Sequence, residues 1–166
     1  MKARALLLIF ALGWCTSIAE AQPQEPRNLS RNRPGPWDND VLVYRVGTNG
    51  TTEKLFTFGR AGVPTMARMK DGRIIAAFQN FPKDNERAFD RVAVCFSSDE
   101  GRSWSEPKPI TVNGLEEGLA RPFDLTLVPL PDGRIRIYFT SSRSPDFRRG
   151  TPAIFSAIST NGLAYG

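Results

Sequence analysis

Histidine is absent from all 166 residues. Its absence removes histidine-based general bases, serine–histidine–aspartate triads and most zinc sites at once. Cysteine is nearly absent as well. Cys15 lies in the N-terminal segment, and Cys95 sits between Val94 and Phe96 in an apolar stretch, where a small buried hydrophobe is the ordinary reading. Helical periodicity is nearly missing throughout. Although 22 Lys and Arg outnumber 17 Asp and Glu, there are no lysine-rich runs or basic helices of the kind that mark nucleic-acid binders. The one long apolar run, Ala5 to Trp14, is too short to span a bilayer, which takes about 20 residues.

What is present begins with an export signal. Lys2 and Arg4 give a positive start, the apolar run follows, and Ala19-Glu20-Ala21 is an A-x-A cleavage site. Residues 1–21 are therefore expected to be a signal peptide cut after Ala21, leaving a secreted or periplasmic protein. Removal takes away two cations and one anion, so the net charge falls from +5 to +4. Cys95 is then the single cysteine, and no intrachain disulfide can form. Residues 22–40 carry four prolines and little apolar content, and read as a flexible leader.

From residue 41 onward strand signals dominate, and they repeat. Arg60 to Phe78 and Arg121 to Phe139 align without a gap and share seven of nineteen positions: Arg60/Arg121, Thr65/Thr126, Asp71/Asp132, Gly72/Gly133, Arg73/Arg134, Ile74/Ile135 and Phe78/Phe139. The period is 61 residues, and Trp104 is matched at the same spacing by Tyr165. Self-similarity at such a period signals a repeat architecture. Within each copy the strands fall into four, named A to D: 64–69, 73–80, 91–97 and 104–112 in the first, then 125–130, 134–140 and 153–158 in the second, where the chain stops before a D strand. Lys70-Asp71-Gly72 and Pro131-Asp132-Gly133 are tight A–B turns, with glycine supplying a positive φ. Four antiparallel strands per repeat make a propeller blade. The expected fold is an all-β propeller spanning residues 41–166, with one blade at 60–112 and an incomplete one at 121–166. A ring needs at least four blades, so the chain is expected to be a piece of a six- or five-bladed propeller, or else to oligomerise.

Ser97-Ser-Asp-Glu-Gly-Arg-Ser-Trp104 is an Asp-box in the C–D turn. Its Ser97, Asp99, Gly101 and Trp104 are structural: the carboxylate caps turn amides while the indole packs into the blade. Ser159, Asn161, Gly162 and Tyr165 form a weaker box, one residue shorter. Blade geometry puts the A–B and C–D turns on one end and the D–A and B–C connections on the other, around the channel mouth, where concave ligand sites form. The candidate site residues come from that second end. Arg60, Arg121 and Asp124 stand at the A-strand starts. Asp84, Glu86, Arg87 and Asp90 lie in the first B–C loop, and Arg143, Asp146, Arg148 and Arg149 in the second. Asp124 is the sharpest of these, because the first copy has Val63 in its place and functional residues break repeat symmetry.

On the box and the A–B hairpin, residues 58–166 resemble the sialidase superfamily, whose secreted six-bladed propellers carry repeated Asp-boxes. Asp124 followed by Asp132-Gly133 also resembles the five-bladed glycosidases. The resemblance implies a glycan or glycoconjugate substrate, with Asp124, Asp90 and Asp84 as candidate catalytic carboxylates and Arg60, Arg121, Arg87 and Arg143 as candidate substrate-binding residues. Sialidases clamp the substrate carboxylate with three arginines and use a Tyr–Glu nucleophile with an Asp acid/base, an exception among glycosidases. Here Gly62-Val63-Pro64 stands where that family has Arg-Ile-Pro, and the Tyr–Glu pair would fall in later blades. Two readings follow: a secreted sialidase-like glycoside hydrolase, or a non-catalytic propeller that binds glycans or proteins. No cofactor, metal or nucleic-acid partner is expected under either.

Overall fold

Alternation of apolar with polar residues, interrupted by glycine turns, produces eleven strands and no helix among the described residues. The computed structural model describes residues 39–81, 92–119, 122–143 and 151–166. The expected signal peptide and most of the expected leader thus lie outside the described residues. The leader's last two residues are tied down: Asn39 O accepts from Ala61 N at 2.9 Å, and Asp40 Oδ1 from Arg60 N at 3.3 Å. No helix among the described residues is long and apolar enough to cross a membrane.

Strands β1 (Val41–Val46) and β2 (Thr52–Phe58) form an antiparallel hairpin with its own two-stranded sheet. The first blade follows as β3 (Ala61–Arg68), β4 (Ile74–Asn80), β5 (Val92–Ser97) and β6 (Lys108–Pro109), hydrogen-bonded in that order. The second contains β8 (Phe123–Pro129), β9 (Ile135–Ser141) and β10 (Ala153–Ser159), again in sequence order. Each blade is antiparallel throughout. The A, B and C strands thus fall where expected, within three residues at each end.

The D strand differs. Instead of one strand over 104–112, Trp104 lies outside any strand and the segment divides. Lys108–Pro109 pairs with β5, while β7 (Thr111–Val112) turns to the next blade and pairs in parallel with β11 (Ala164–Tyr165). Thr111 N donates to Leu163 O at 2.9 Å and Asn113 N to Tyr165 O at 2.8 Å. The reason lies in Pro107 and Pro109, which lack N–H donors and cannot sustain a continuous ladder. At the chain's end, Gly166 exchanges two backbone bonds with Ile158, so the second blade begins a fourth strand of its own.

Two hydrophobic layers hold these sheets together. Val43, Phe58, Ala76, Phe78, Ala93 and Cys95 bury the β1–β2 hairpin against one face of blade 1. The other face of blade 1, with Ile75, Ala77, Val92 and Val94, meets Leu125, Leu127, Ile137 and Phe139 of blade 2. Period-2 alternation makes this double use: on β4, Ile75 and Ala77 point one way and Ala76 and Phe78 the other. Full burial of each Ile or Phe contributes roughly 1.5–3 kcal/mol. Cys95 is fully buried and free, and burial pushes its thiol up to about 11, so it behaves as the small hydrophobe its neighbours predict.

The two Asp-boxes share one wiring despite their different lengths. In the first, Ser97 Oγ accepts from Gly101 N at 2.9 Å, and Asp99 Oδ1 accepts from Ser103 N at 2.9 Å and Arg102 N at 3.1 Å. In the second, Ser159 Oγ accepts from Gly162 N at 2.9 Å, and Asn161 Oδ1 from Leu163 N at 2.8 Å and Ala164 N at 3.1 Å. A carboxamide oxygen thus replaces the carboxylate. Each box returns its aromatic to its own glycine carbonyl, Trp104 Nε1 to Gly101 O and Tyr165 Oη to Gly162 O. Trp104 meets Phe58 edge-on at 5.1 Å in the hairpin layer, and Tyr165 is buried between the blades. The extra residue of the first box is Glu100, held at φ 60° and chelated by Arg68 at 2.6 and 2.8 Å.

Hydrogen bonds from Ser103 and Ser97 hold the Asp99 carboxyl down to about 2, below its ordinary 3.8. A depressed carboxyl adds stability that is fully present above its unfolded value and is lost as pH falls through the folded one. Between about pH 4 and 2 the wild-type chain should therefore lose stability faster than Asp99→Asn, which copies the second box. Thermal unfolding across that pH range measures it, and parallel curves would show that Asp99 is uncoupled from folding.

Candidate functional site

Because each blade is a simple antiparallel meander, its connections sort by end. The turns at 70–72 and 131–133 and both Asp-boxes lie at one end. The β2–β3, β4–β5, β7–β8 and β9–β10 connections lie at the other, the mouth end. Arg60, Asp124 and Arg143 all lie at that end. Asp84, Arg87, Asp90 and Arg121 lie outside the described residues.

The local structure at the A-strand starts is unusual and repeats. Gly62 pairs with Gln79 and Thr65 with Ala77, so Val63 and Pro64 together oppose the single residue Phe78. In blade 2, Phe123 pairs with Thr140 and Thr126 with Tyr138, so Asp124 and Leu125 oppose Phe139. This is a β-bulge carried at the 61-residue period, opposite a phenylalanine identical in both copies. Its first residue is left-handed in both blades, with φ 46° at Val63 and 49° at Asp124. Asp tolerates that region better than most residues, whereas a β-branched Val there is strained. Arg60, just upstream, is left-handed as well at φ 54°. Three of the four non-glycine residues with positive φ among the described residues therefore cluster at the mouth end, the fourth being Glu100. Outliers of this kind concentrate at binding and catalytic sites, and bulges re-aim side chains beside them. Asp124 is exposed there, rather than enclosed by its neighbours Phe123 and Leu125, both of which are buried.

The arginines have structural duties. Arg60 Nε donates to Phe81 O at 2.8 Å while Arg60 O accepts from Phe81 N at 2.9 Å, joining the start of β3 to the end of β4. Arg143 forms an ion pair with Glu116 and donates to Glu117 O at 3.1 Å, bracing the β7–β8 connection from β9. Both members of that pair are well exposed. Arg73 and Arg134, conspicuous in the repeat, lie at the opposite end: each folds its Nε back onto Asp71 or Asp132 at 2.8 Å across the A–B turn. Those aspartates are held low by the guanidinium they receive. No group of three or more His, Cys, Asp or Glu able to hold a metal occurs among the described residues.

One mouth-end residue escaped sequence reasoning. Gln79, the penultimate residue of β4, is 3% exposed, and both Nε2 and Oε1 are buried with no hydrogen-bond partner. Leaving such a group unpaired costs about 1–3 kcal/mol. Nothing local in the sequence announces this, because its counterpart at the 61-residue spacing is Thr140 and the surrounding strand reads as ordinary core.

No family model matches the chain, and a search of curated proteins finds no match. Solved structures do resemble it. A protein of unknown function from Dyadobacter fermentans DSM 18053 superposes with a TM-score of 0.51 at 17% identity, over 70% of this chain and 38% of that one. An N-acetylgalactosamine deacetylase from F. plautii, solved with blood group B trisaccharide, gives 0.52 at 18% identity, over 72% of this chain and 32% of its own. An α-L-arabinanase from Penicillium chrysogenum, solved with arabinobiose, gives 0.54 at 18%, over 80% and 41%. The chain thus spans between 32% and 41% of their lengths. Likeness at this identity establishes the fold, a β-propeller.

The strained bulge yields a direct test. Val63→Gly should stabilise the chain by about 0.5–1 kcal/mol, since relief of the left-handed penalty exceeds glycine's entropic cost. Urea unfolding measures this, and a loss of stability would mean that the half-exposed Val63 side chain outweighs the strain.

Proposed function

We propose that the mouth end binds a carbohydrate, and that the whole protein is a secreted glycoside hydrolase of sialidase-like architecture. The observation that carries this reading is Asp124: an exposed carboxylate on a left-handed bulge of an inner strand, at the position where the preceding blade has Val63. Bulge geometry lifts the carboxylate out of the ladder and fixes its direction. That is the pre-organisation a general acid/base or a nucleophile requires. Hydrolysis of a glycosidic bond needs a second carboxylate across the bond, and Asp84 or Asp90 of the neighbouring B–C loop is the source in this proposal. Arg121 and Arg87 are proposed to bind substrate with them. Arg143 joins them toward an anionic sugar, because its exposed pairing with Glu116 is worth at most about 1 kcal/mol and is readily exchanged. Arg60 instead holds two strand ends together. The carbohydrate ligands of two structural neighbours support the substrate class.

A second reading, a non-catalytic glycan- or protein-binding propeller, draws on Gly62-Val63-Pro64, which puts a glycine where the Arg-Ile-Pro of the resembled family has its arginine. Turnover decides between them. The full-length protein is assayed on 3′-sialyllactose, arabinobiose and blood group B trisaccharide. Hydrolysis of one of them, reduced roughly 10²- to 10⁴-fold by Asp124→Asn, is the expected result. Unchanged turnover in the variant removes Asp124 from the site, and binding of a glycan with no hydrolysis supports the second reading. Export forms part of the proposal: the mature N-terminus should be Gln22, as N-terminal sequencing of the extracellular or periplasmic fraction would show.

A further inference from the structure

Gln79 lies on the same face of β4 as Ile75 and Ala77, the face packed against blade 2. Its cross-strand neighbours are Gly62, at the edge of the Val63 bulge, and Val92. On the facing side, Phe139 belongs to the shared layer, and Ser141, two residues on along the same face of β9, is fully buried. The amide thus stands at the mouth end of the seam between two bulged inner strands, where every preceding residue on its own face is apolar. An apolar side chain of similar size would complete that layer without leaving a donor and an acceptor unpaired.

We propose that Gln79 is a specificity-determining residue of the mouth site and recognises two adjacent hydroxyls of the bound sugar. A carboxamide presents one acceptor and one donor side by side. A vicinal diol matches it: one hydroxyl donates to Oε1 and its neighbour accepts from Nε2. Gln79 is the next-to-last residue before the β4–β5 connection, and its side chain has three rotatable bonds. Swinging toward the mouth breaks no hydrogen bond, because it makes none. Unpaired buried groups also explain rejection: a ligand lacking either hydroxyl leaves half of the amide unsatisfied, the arrangement that gives strong discrimination.

The inference rests on the carbohydrate reading, and one experiment separates the two. Binding of arabinobiose, 3′-sialyllactose and blood group B trisaccharide to the full-length protein is measured by calorimetry for wild type, Gln79→Met and Gln79→Leu, with thermal unfolding of each. If wild type binds none of the three, the carbohydrate reading falls and takes this inference with it. If wild type binds one, the expected result is affinity at least tenfold weaker in both variants with unfolding temperatures equal to or above wild type. Single-deoxy analogues of the bound sugar should then weaken wild-type binding about tenfold and leave Gln79→Met unaffected. Equal affinities across the three proteins overturn the role of Gln79 while the carbohydrate reading stands. A fall in unfolding temperature in both variants also overturns it, because the amide would then be structural.

Discussion

Everything in this chain depends on blade 1 burying both of its faces against neighbours with which it shares almost no backbone ladder. Strands within a blade are hydrogen-bonded, but between blades the main link is the apolar layer of Ile75, Ala77, Leu125, Leu127, Ile137 and Phe139. Side-chain packing therefore sets the angle between the sheets and, through it, the position of both inner strands at the mouth. The boxes serve the same layer. Gly162 is held at φ 77°, and a Cβ there would come within 2.6 Å of the Ile75 side chain, so the second box rests directly on the preceding blade.

That dependence explains the division of labour between the two ends. At the turn end charges are internally neutralised, Arg73 by Asp71, Arg134 by Asp132 and Arg68 by Glu100. At the mouth end the backbone is strained at Arg60, Val63 and Asp124, and a buried amide is left unpaired. Strain and unpaired polarity persist only where the surrounding structure over-determines them. Here the rigid turn end and the apolar seam provide that constraint.

Much of this was legible in the sequence, because a repeat doubles the signal. The 61-residue period, the A–B turns and the first box are visible as identities, and Asp124 stands out because it breaks the symmetry. Other features lay beyond single-sequence reasoning for definite reasons. Asn161 reads as a defect in the box, yet its amide oxygen accepts the same two turn amides as Asp99. Arg73 and Arg134 are visible as repeat identities, but only their hydrogen bonds to Asp71 and Asp132 show that they are turn braces. The bulge leaves no trace in the apolar pattern beyond Gly62 and Pro64, since Val63 and Asp124 differ in every property except φ. Gln79 was hidden because its lack of partners is a property of three dimensions alone.

The division of the expected D strand carries one further consequence. Because Thr111 and Asn113 complete their hydrogen bonding on Leu163 and Tyr165 of the next repeat, the module that is self-sufficient in backbone pairing does not run from A strand to D strand. It is offset, and straddles the boundary between blades. A graft or a gene duplication that cut at blade boundaries would sever those bonds. One that kept residues 111–113 together with the following box would carry its own closure with it, so the natural unit of exchange in this architecture is the joint rather than the blade.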